Sequence, residues 1–163
     1  MCLPIVKVLS PLDISEKDLL VFEEMVLKSG EVNPQTLPDL IQNAYALAFI
    51  WMDGALIGVG GVKRPSNSYR ADVFLKAKVA FDPSQFEFEL GWIYIEEAGR
   101  DKKIASLIVE KLVLALDGAN AYATSSVVNY KMHASLRRFG FELVGTPYAS
   151  SQNASDIILF LRK

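Results

Sequence analysis

Residues 89–112 have the sequence of a strand that passes through a polar turn into an amphipathic helix. The first turn of a helix carries unpaired backbone N–H groups and the positive end of the helix dipole, so a phosphate can bind there without dedicated side chains. The turn also supplies the positive charges of Arg100, Lys102 and Lys103. We therefore predict an anion cradle at this junction, with a purely structural turn as the alternative.

A second informative segment, residues 129–141, places Asn129 at the start of a predicted helix and Gly140-Phe141 directly after its end. Together the two segments resemble the GNAT superfamily of acyl-CoA-dependent N-acyltransferases. The turn of that family reads roughly R/Q-x-x-G-x-G/A. Residues 100–105, RDKKIA, match its first and last positions and have Lys103 at the middle glycine.

The later GNAT pattern reads N-x-x-A-x-x-L-Y-x-x-x-G-F and is matched by Asn129 and by Gly140-Phe141 at the right spacing. Its alanine, leucine and tyrosine positions are occupied here by Met132, Ser135 and Leu136. The resemblance covers most of the chain from Ala46 onward.

The resemblance implies an α/β fold with a single central mixed sheet and helices on both faces. In that family a bulge splays the central strand away from its neighbour, and the freed backbone groups bind the pantetheine arm of acetyl-CoA. The residues implied to bind the arm are Trp92, Ile93, Tyr94 and Ile95. Those implied to hold the pyrophosphate are Arg100, Asp101, Lys102, Lys103, Ile104 and Ala105. Asn129 would hydrogen-bond the arm or serve only as a helix cap.

The activity implied is that of an N-acetyltransferase, in which a primary amine attacks the thioester of acetyl-CoA directly. The amine must lose a proton to a base. We expect Glu89 to be that base, because its ELG context resembles the position of the base in many family members; Glu87 is the alternative. A backbone N–H near Ile93 or Tyr94 would stabilise the oxyanion.

The tyrosine that usually protonates the leaving thiolate in this family falls at Leu136. A thiol has a reference pKa of about 8.5, so a general acid assists its departure without being obligatory. Tyr94 is our catalytic candidate for this role, with Tyr130, Tyr148 and water as alternatives. Loss of catalysis is a further alternative.

Composition restricts the class of protein. The chain has 163 residues and a formal net charge of −2, which predicts one domain over residues 1–163 and does not favour a nucleic-acid partner. The single cysteine, Cys2, and single histidine, His133, argue against an internal disulfide and a cysteine or histidine metal cluster. The sequence has no apolar run of about 18 residues, so we expect no membrane association and a cytoplasmic location.

The periodicity of apolar residues predicts the elements that position these groups. We expect a hairpin of strands 46–52 and 56–62 around Asp53-Gly54. The glycines of its second strand suggest a bulge or a close approach. In the strand 87–95 we expect an aromatic face opposite Glu89, whereas 69–79 fits either a helix or an irregular excursion. The remaining strands are predicted at 5–9, 121–125, 141–145 and 156–161, and the helices at 15–29, 37–43, 104–117 and 129–139.

Two other functions remain open at this point. One is a non-catalytic acyl-CoA-binding or regulatory module. The other is an acyltransferase that acts on a protein, tRNA or DNA, as suggested by the cations Lys63, Arg64, Arg70, Lys76 and Lys78. The final strand pair, if it lies at a sheet edge, would permit a homodimer.

Overall fold

A computed structural model describes residues 3–100, 103–151 and 154–163, and these residues form seven strands and five α-helices. The strands are β1 (Ile5–Leu9), β2 (Ala46–Met52), β3 (Ala55–Lys63), β4 (Phe88–Ile95), β5 (Ala121–Ser126), β6 (Glu142–Tyr148) and β7 (Ile157–Arg162). The helices are α1 (Glu16–Leu27), α2 (Leu37–Gln42), α3 (Asn67–Lys76), α4 (Ile104–Leu116) and α5 (Tyr130–Arg138).

All seven strands belong to one mixed sheet in the order β1-β2-β3-β4-β5-β7-β6. Only β4 and β5 pair in parallel; the other neighbours are antiparallel. Helices α4 and α5 pack on one face of the sheet, which we call the α4 face, over a core that includes Ile50, Leu90 and Ile108. Helices α1, α2 and α3 cover the opposite face, which we call the α1 face, in two further apolar clusters. The predicted fold class is confirmed.

The predicted hairpin is also confirmed. Asp53 and Gly54 have φ angles of 52° and 80°, so both central residues of the turn lie in the left-handed region that a tight hairpin favours. The segment left ambiguous by periodicity contains α3, whose N-cap Ser66 accepts a hydrogen bond from the Tyr69 N–H. Strand β6 continues beyond the predicted end at residue 145 to Tyr148.

The glycines of β3 permit close approach on both faces of the sheet. A Cβ on Gly60 would lie 2.6 Å from Ile108 Cγ2, and one on Gly61 would lie 2.8 Å from Trp92 Cε3. Real side-chain contacts are longer than this, so a residue larger than glycine at either position would displace its neighbour. Helix α4 and the Trp92 indole can therefore pack against the backbone of β3.

Strand β4 differs from the expected alternation because it contains a bulge. Val59 pairs with Tyr94 and Gly61 with Gly91, so β4 has one more residue than β3 over this stretch. Trp92 has a φ of 54°, a left-handed conformation that is rare for a bulky residue. As a result Phe88 and Leu90 pack on the α4 face while Trp92 packs on the α1 face. The prediction of one aromatic face opposite Glu89 was wrong beyond this bulge.

The bulge lies where β4 separates from β5. Within the described residues, the two strands pair only through Phe88 with Ala121 and Glu89 with Tyr122. Residues 90–95 of β4 consequently pair with no described strand on the β5 side. This gap in the middle of the sheet is the opening around which the candidate site is built. The described part of the chain has no helix long and apolar enough to cross a membrane.

Candidate functional site

Two connected cavities lie at the opening between β4 and β5. The first, which we call the outer cleft, has a volume of about 780 Å³ and lies between the end of β4, the start of α4 and the first part of α5. The second, the inner pocket, has a volume of about 430 Å³ and reaches down to Glu89 between β4, β5 and α3. Both volumes are within the range of small-molecule sites. The cavities share six lining residues, which form their junction: Ser29, Glu31, Ile93, Tyr94, Asn129 and Met132.

The start of α4 forms one end of the outer cleft. Its N-cap is Lys103, and no side chain among the described residues caps it. The Leu107 N–H makes the first hydrogen bond of the helix, to the Lys103 carbonyl, so the N–H groups of residues 104–106 precede the hydrogen-bonded ladder. This uncapped first turn, with Lys103, Ile104 and Ala105 in the cleft lining, can bind an anion.

Lys103 adopts the left-handed conformation, with φ 59° and ψ 22°, at the position where the resembling turn has a glycine. Lys103 thus adopts a backbone conformation that glycine takes more readily than other residues. The neighbouring Arg100 directs its side chain back along β4, since its Nε donates to the Ile95 carbonyl at 3.1 Å. Asp101 and Lys102, also predicted to bind pyrophosphate, lie outside the described residues.

Residues of β4 line the path between the two cavities. Ile93 and Tyr94 line both cavities, Ile95 lines the outer cleft, and Trp92 lines the inner pocket. Asn129 also faces both, but its carboxamide oxygen accepts from the Met132 N–H at 3.3 Å and caps α5. The cap explains this residue structurally and leaves its carboxamide nitrogen as the group it can offer to a ligand.

Glu89 is at the floor of the inner pocket and is 2% exposed. Burial raises the pKa of its carboxyl, while the charge of Lys63 acts in the opposite direction and lowers it. The Lys63 Nζ lies 3.7 Å from Glu89 Oε1. A raised pKa makes a carboxylate a stronger base, which suits proton removal from an amine. The alternative, Glu87, is exposed and lines neither cavity.

Three tyrosines have their hydroxyl groups near Glu89. The Glu89 charge first and burial second raise the pKa of Tyr69, whereas burial first and Glu89 second raise the pKa of both Tyr122 and Tyr148. All three therefore stay neutral at physiological pH. The Tyr122 hydroxyl is buried without a hydrogen-bond partner among the described residues. Tyr69 and Tyr148 line the inner pocket.

The hydroxyl groups proposed to replace the missing family tyrosine occupy different places. Tyr94 is at the junction and Tyr148 is in the inner pocket, whereas Tyr130 is 74% exposed and lines neither cavity. Leu136 is buried in the core of the α4 face and contributes to the inner pocket. His133 is buried, and its Nε2 is 2.8 Å from the Ser126 carbonyl oxygen.

Sequence reasoning did not single out Lys63 and Tyr69 as members of this site. Lys63 reaches Glu89 because β3 pairs with β4 in the sheet, although the segment that contains α3 separates the two strands in the sequence. Tyr69 is on α3 itself, whose existence the periodicity left open. The sequence contained only a weak signal for Lys63, since it is one lysine at the end of an apolar, glycine-rich strand.

No protein-family model and no curated protein matches this sequence. Solved structures do match it. An acyl-CoA N-acyltransferase from Pseudomonas aeruginosa superposes with a TM-score of 0.70 at 15% identity, over 99% of this chain and 100% of that one. Escherichia coli ElaA gives a TM-score of 0.72 at 14% identity, over 99% and 100% of the two chains.

A third structure is yncA from Salmonella typhimurium with its cofactor acetyl-CoA, with a TM-score of 0.65 at 11% identity over 98% of this chain and 93% of that one. Other matching structures are described as acetyltransferases of the GNAT family. The strand order, the gap between β4 and β5 and these superpositions agree, and the chain has the fold of the GNAT acyltransferases.

Proposed function

We propose that this protein is an N-acetyltransferase that transfers an acetyl group from acetyl-CoA to a primary amine of a small acceptor. The single observation that carries the proposal is the meeting of two cavities at the gap between β4 and β5. One cavity ends at a helix N-terminus that no described side chain caps, and the other ends at a buried carboxylate. The matching of GNAT-fold structures over nearly the whole chain supports it.

In this proposal the outer cleft binds acetyl-CoA. The first turn of α4 would accept the pyrophosphate, and the unpaired edge of β4 at Ile93, Tyr94 and Ile95 would hydrogen-bond the pantetheine arm. Acetyl-CoA supplies the acyl group as a thioester with a good leaving group. Trp92 would act indirectly in binding, because its left-handed backbone creates the bulge.

The residues of the junction and the inner pocket would carry out the transfer. Glu89 accepts a proton from the acceptor amine, directly or through water, while the amine nitrogen forms its bond to the acyl carbon. A backbone N–H at Ile93 or Tyr94 stabilises the oxyanion. Tyr94 donates a proton to the departing sulfur as the carbon–sulfur bond breaks. The products are an amide and a thiol.

A small acceptor is favoured over a macromolecule because the cations of residues 63–78 do not form one exposed surface. Arg70 is buried and donates to Asn67 Oδ1 and the Glu87 carbonyl. Lys63 is directed at Glu89, and Lys76 is 2.9 Å from Asp72. The other two cations of the segment, Arg64 and Lys78, are exposed, and Arg64 lies over the Tyr45 ring. Two such cations make a small positive surface for an acidic polymer. A cytoplasmic location and a homodimer stay predictions.

Calorimetric titration with acetyl-CoA tests the outer cleft. We expect wild-type binding and a loss of at least about tenfold in the Arg100→Glu, Lys103→Glu double variant, since each change replaces attraction to phosphate by repulsion. The matched control is Lys7→Glu, Lys17→Glu, which makes the same charge change at exposed positions away from the cleft. Absence of binding by the wild type would contradict the proposal.

Release of the CoA thiol in the presence of a panel of small amines tests the inner pocket. We expect Glu89→Gln to lower kcat by about 100-fold or more while acetyl-CoA affinity stays unchanged. Glu87→Gln is the matched control and should behave like the wild type. Tight acetyl-CoA binding without turnover of any amine would instead favour the non-catalytic module.

A further inference from the structure

The Lys63 side chain occupies a space that exists because residue 91 is a glycine. A Cβ on Gly91 would lie 2.8 Å from Lys63 Cε and 3.0 Å from Lys63 Nζ. A methyl group at position 91 would therefore displace the flexible end of the Lys63 side chain from its present place. The glycine at position 91 thus leaves room for the Lys63 side chain, which starts on β3, to extend over β4.

The indole of Trp92 forms a second side of the same space. Lys63 Nζ lies over the Trp92 ring at 5.0 Å from its centroid, a distance at which a cation is attracted to the π face. The indole is held from another side by Phe22, whose ring is 6.0 Å away in an edge-on arrangement. The left-handed backbone of Trp92 brings the indole to this face of the sheet, where Glu89 also points.

The end of the Lys63 side chain faces Glu89. The Nζ to Oε1 distance is 3.7 Å, and the side chains are 23% and 3% exposed, respectively. A buried carboxylate is costly unless a counter-charge accompanies it. An opposite charge at this distance favours its ionised form.

The other groups that face Glu89 do not provide this counter-charge. Tyr69, Tyr122 and Tyr148 are neutral because their pKa values are raised. The buried Arg70 on α3 directs Nη1 and Nη2 to the Glu87 carbonyl and Asn67, while Asp72 on the same helix pairs with Lys76. Within the described part of the chain, Lys63 is the cation paired with Glu89.

We propose that Lys63 is a positioning residue for the base Glu89. Its side chain fits into the space beside Gly91, lies on the Trp92 indole, and keeps the Glu89 carboxylate in place and ionised. This inference rests on the proposed function. It adds a residue that does not contact the reacting atoms but sets the pH range over which the base works.

The pH dependence of kcat/KM tests this role. Removal of the Lys63 charge takes away the largest effect that lowers the Glu89 pKa, while burial continues to raise it. Lys63→Met should therefore move the ascending limb about one pH unit or more to the alkaline side. Lys63→Arg should restore most of the shift because it keeps the charge. Lys17→Met, which removes a charge from an exposed position on α1 outside both cavities, should leave the limb unchanged. The KM for acetyl-CoA should not change in any of them.

Gly91→Ala provides an independent variant, because it displaces Lys63 without removing the charge. We expect an alkaline shift in the same direction as in Lys63→Met. If both variants fold, as judged by circular dichroism, and both keep the wild-type pH profile, the proposed role of Lys63 is wrong.

Carboxyl ¹³C NMR of glutamate-labelled protein separates this inference from the proposed function, since it needs no turnover. The Glu89 signal is assigned by its loss in Glu89→Gln. A higher titration midpoint in Lys63→Met than in the wild type would support the pairing even if the wild type acylates no amine. An unchanged midpoint would overturn it, whatever the activity.

Discussion

At the scale of single residues, Glu89 combines burial with proximity to one cation. Its carboxyl group would be protonated in the pocket at a higher pH than in water, because burial outweighs the effect of Lys63. The same raised pKa affects both function and stability. As a base it is stronger than an ordinary glutamate, and as a buried charge it costs folding free energy once it ionises.

We predict that Glu89→Gln stabilises the protein in a pH-dependent way. The pKa of Glu89 in the folded state lies above its ordinary value of 4.5. Between the two pKa values the folded state therefore binds more protons than the unfolded state. The free energy of unfolding of the wild type falls as pH rises through that interval. Glutamine cannot ionise and escapes this loss. Urea unfolding from pH 4 to pH 8 should show an advantage of the variant that grows with pH and is smallest at pH 4. An advantage that grows toward acid would contradict the raised pKa.

We also predict that Tyr94 and Tyr130 differ in importance. Tyr94 lies at the junction of the two cavities, whereas Tyr130 is exposed on α5 and lines neither. Tyr94→Phe should lower kcat by about 100-fold, the lower end of the range for a general acid, because a thiolate leaves readily. Tyr130→Phe is the matched control and should retain full activity. Equal rates for both variants would assign the proton to water or to Tyr148.

At the scale of elements, β3 and β4 determine the geometry of the site. The glycines of β3 admit α4 on one face and the Trp92 indole on the other. The bulge in β4 then places Glu89, Trp92 and Tyr94 on the α1 face together. In a regular strand Trp92 would face away from Glu89.

The close approach of α4 to β3 is testable by adding one methyl group. Gly60→Ala should destabilise the fold by about 1–3 kcal/mol, since the new Cβ would lie 2.6 Å from Ile108 Cγ2. Denaturant unfolding measures the loss. In a double-mutant cycle with Ile108→Ala, the glycine substitution should cost much less because the colliding atom is gone. Equal costs in both backgrounds would place the strain elsewhere.

The sequence predicted the elements better than it predicted their faces. Turn residues such as Asp53-Gly54 and the apolar stripe of α4 are local signals, and both were confirmed. The bulge at Trp92 is not a local signal, because the residues of β4 alternate normally in sequence. It becomes visible only when β4 is paired with β3, where Val59 and Gly61 fix the register.

The same limit applies to the candidate site. The predicted positions of Glu89, Tyr94 and the start of α4 all line the cavities at the opening. Those positions depended on resemblance within contiguous segments. Lys63 and Tyr69 come from a different strand and from α3, so tertiary pairing alone brings them to Glu89.

At the scale of the whole molecule, the sheet consists of two parts that are joined by one short strand pairing. Strands β1 to β4 form one part and β5 to β7 the other, connected by the short parallel pairing at Phe88 and Glu89. Helices α4 and α5 pack together across the gap on one face. Binding at the gap should therefore change hydrogen bonding in the middle of the sheet.

We predict that acetyl-CoA slows amide hydrogen exchange in residues 90–95 and at the start of α4. Backbone groups of residues 90–95 that face β5 have no strand partner among the described residues, and those at the start of α4 precede the helical ladder. A ligand that pairs with them should protect them. Exchange in the β2–β3 hairpin should not change and provides the internal control. Protection confined to the hairpin would contradict the proposed binding site.

The gap between β4 and β5 also affects how the protein can associate. A strand with unpaired backbone groups normally lies at the border of a sheet, where a strand from another chain can pair with it and begin aggregation. Here such a strand is enclosed within the sheet, with helices covering both faces. These unpaired groups are reached through the outer cleft, which Ile93, Tyr94 and Ile95 line, and not along an outer edge of the sheet. The fold thus keeps these hydrogen-bonding groups away from the outer edges of the sheet, where strands of other chains most readily add.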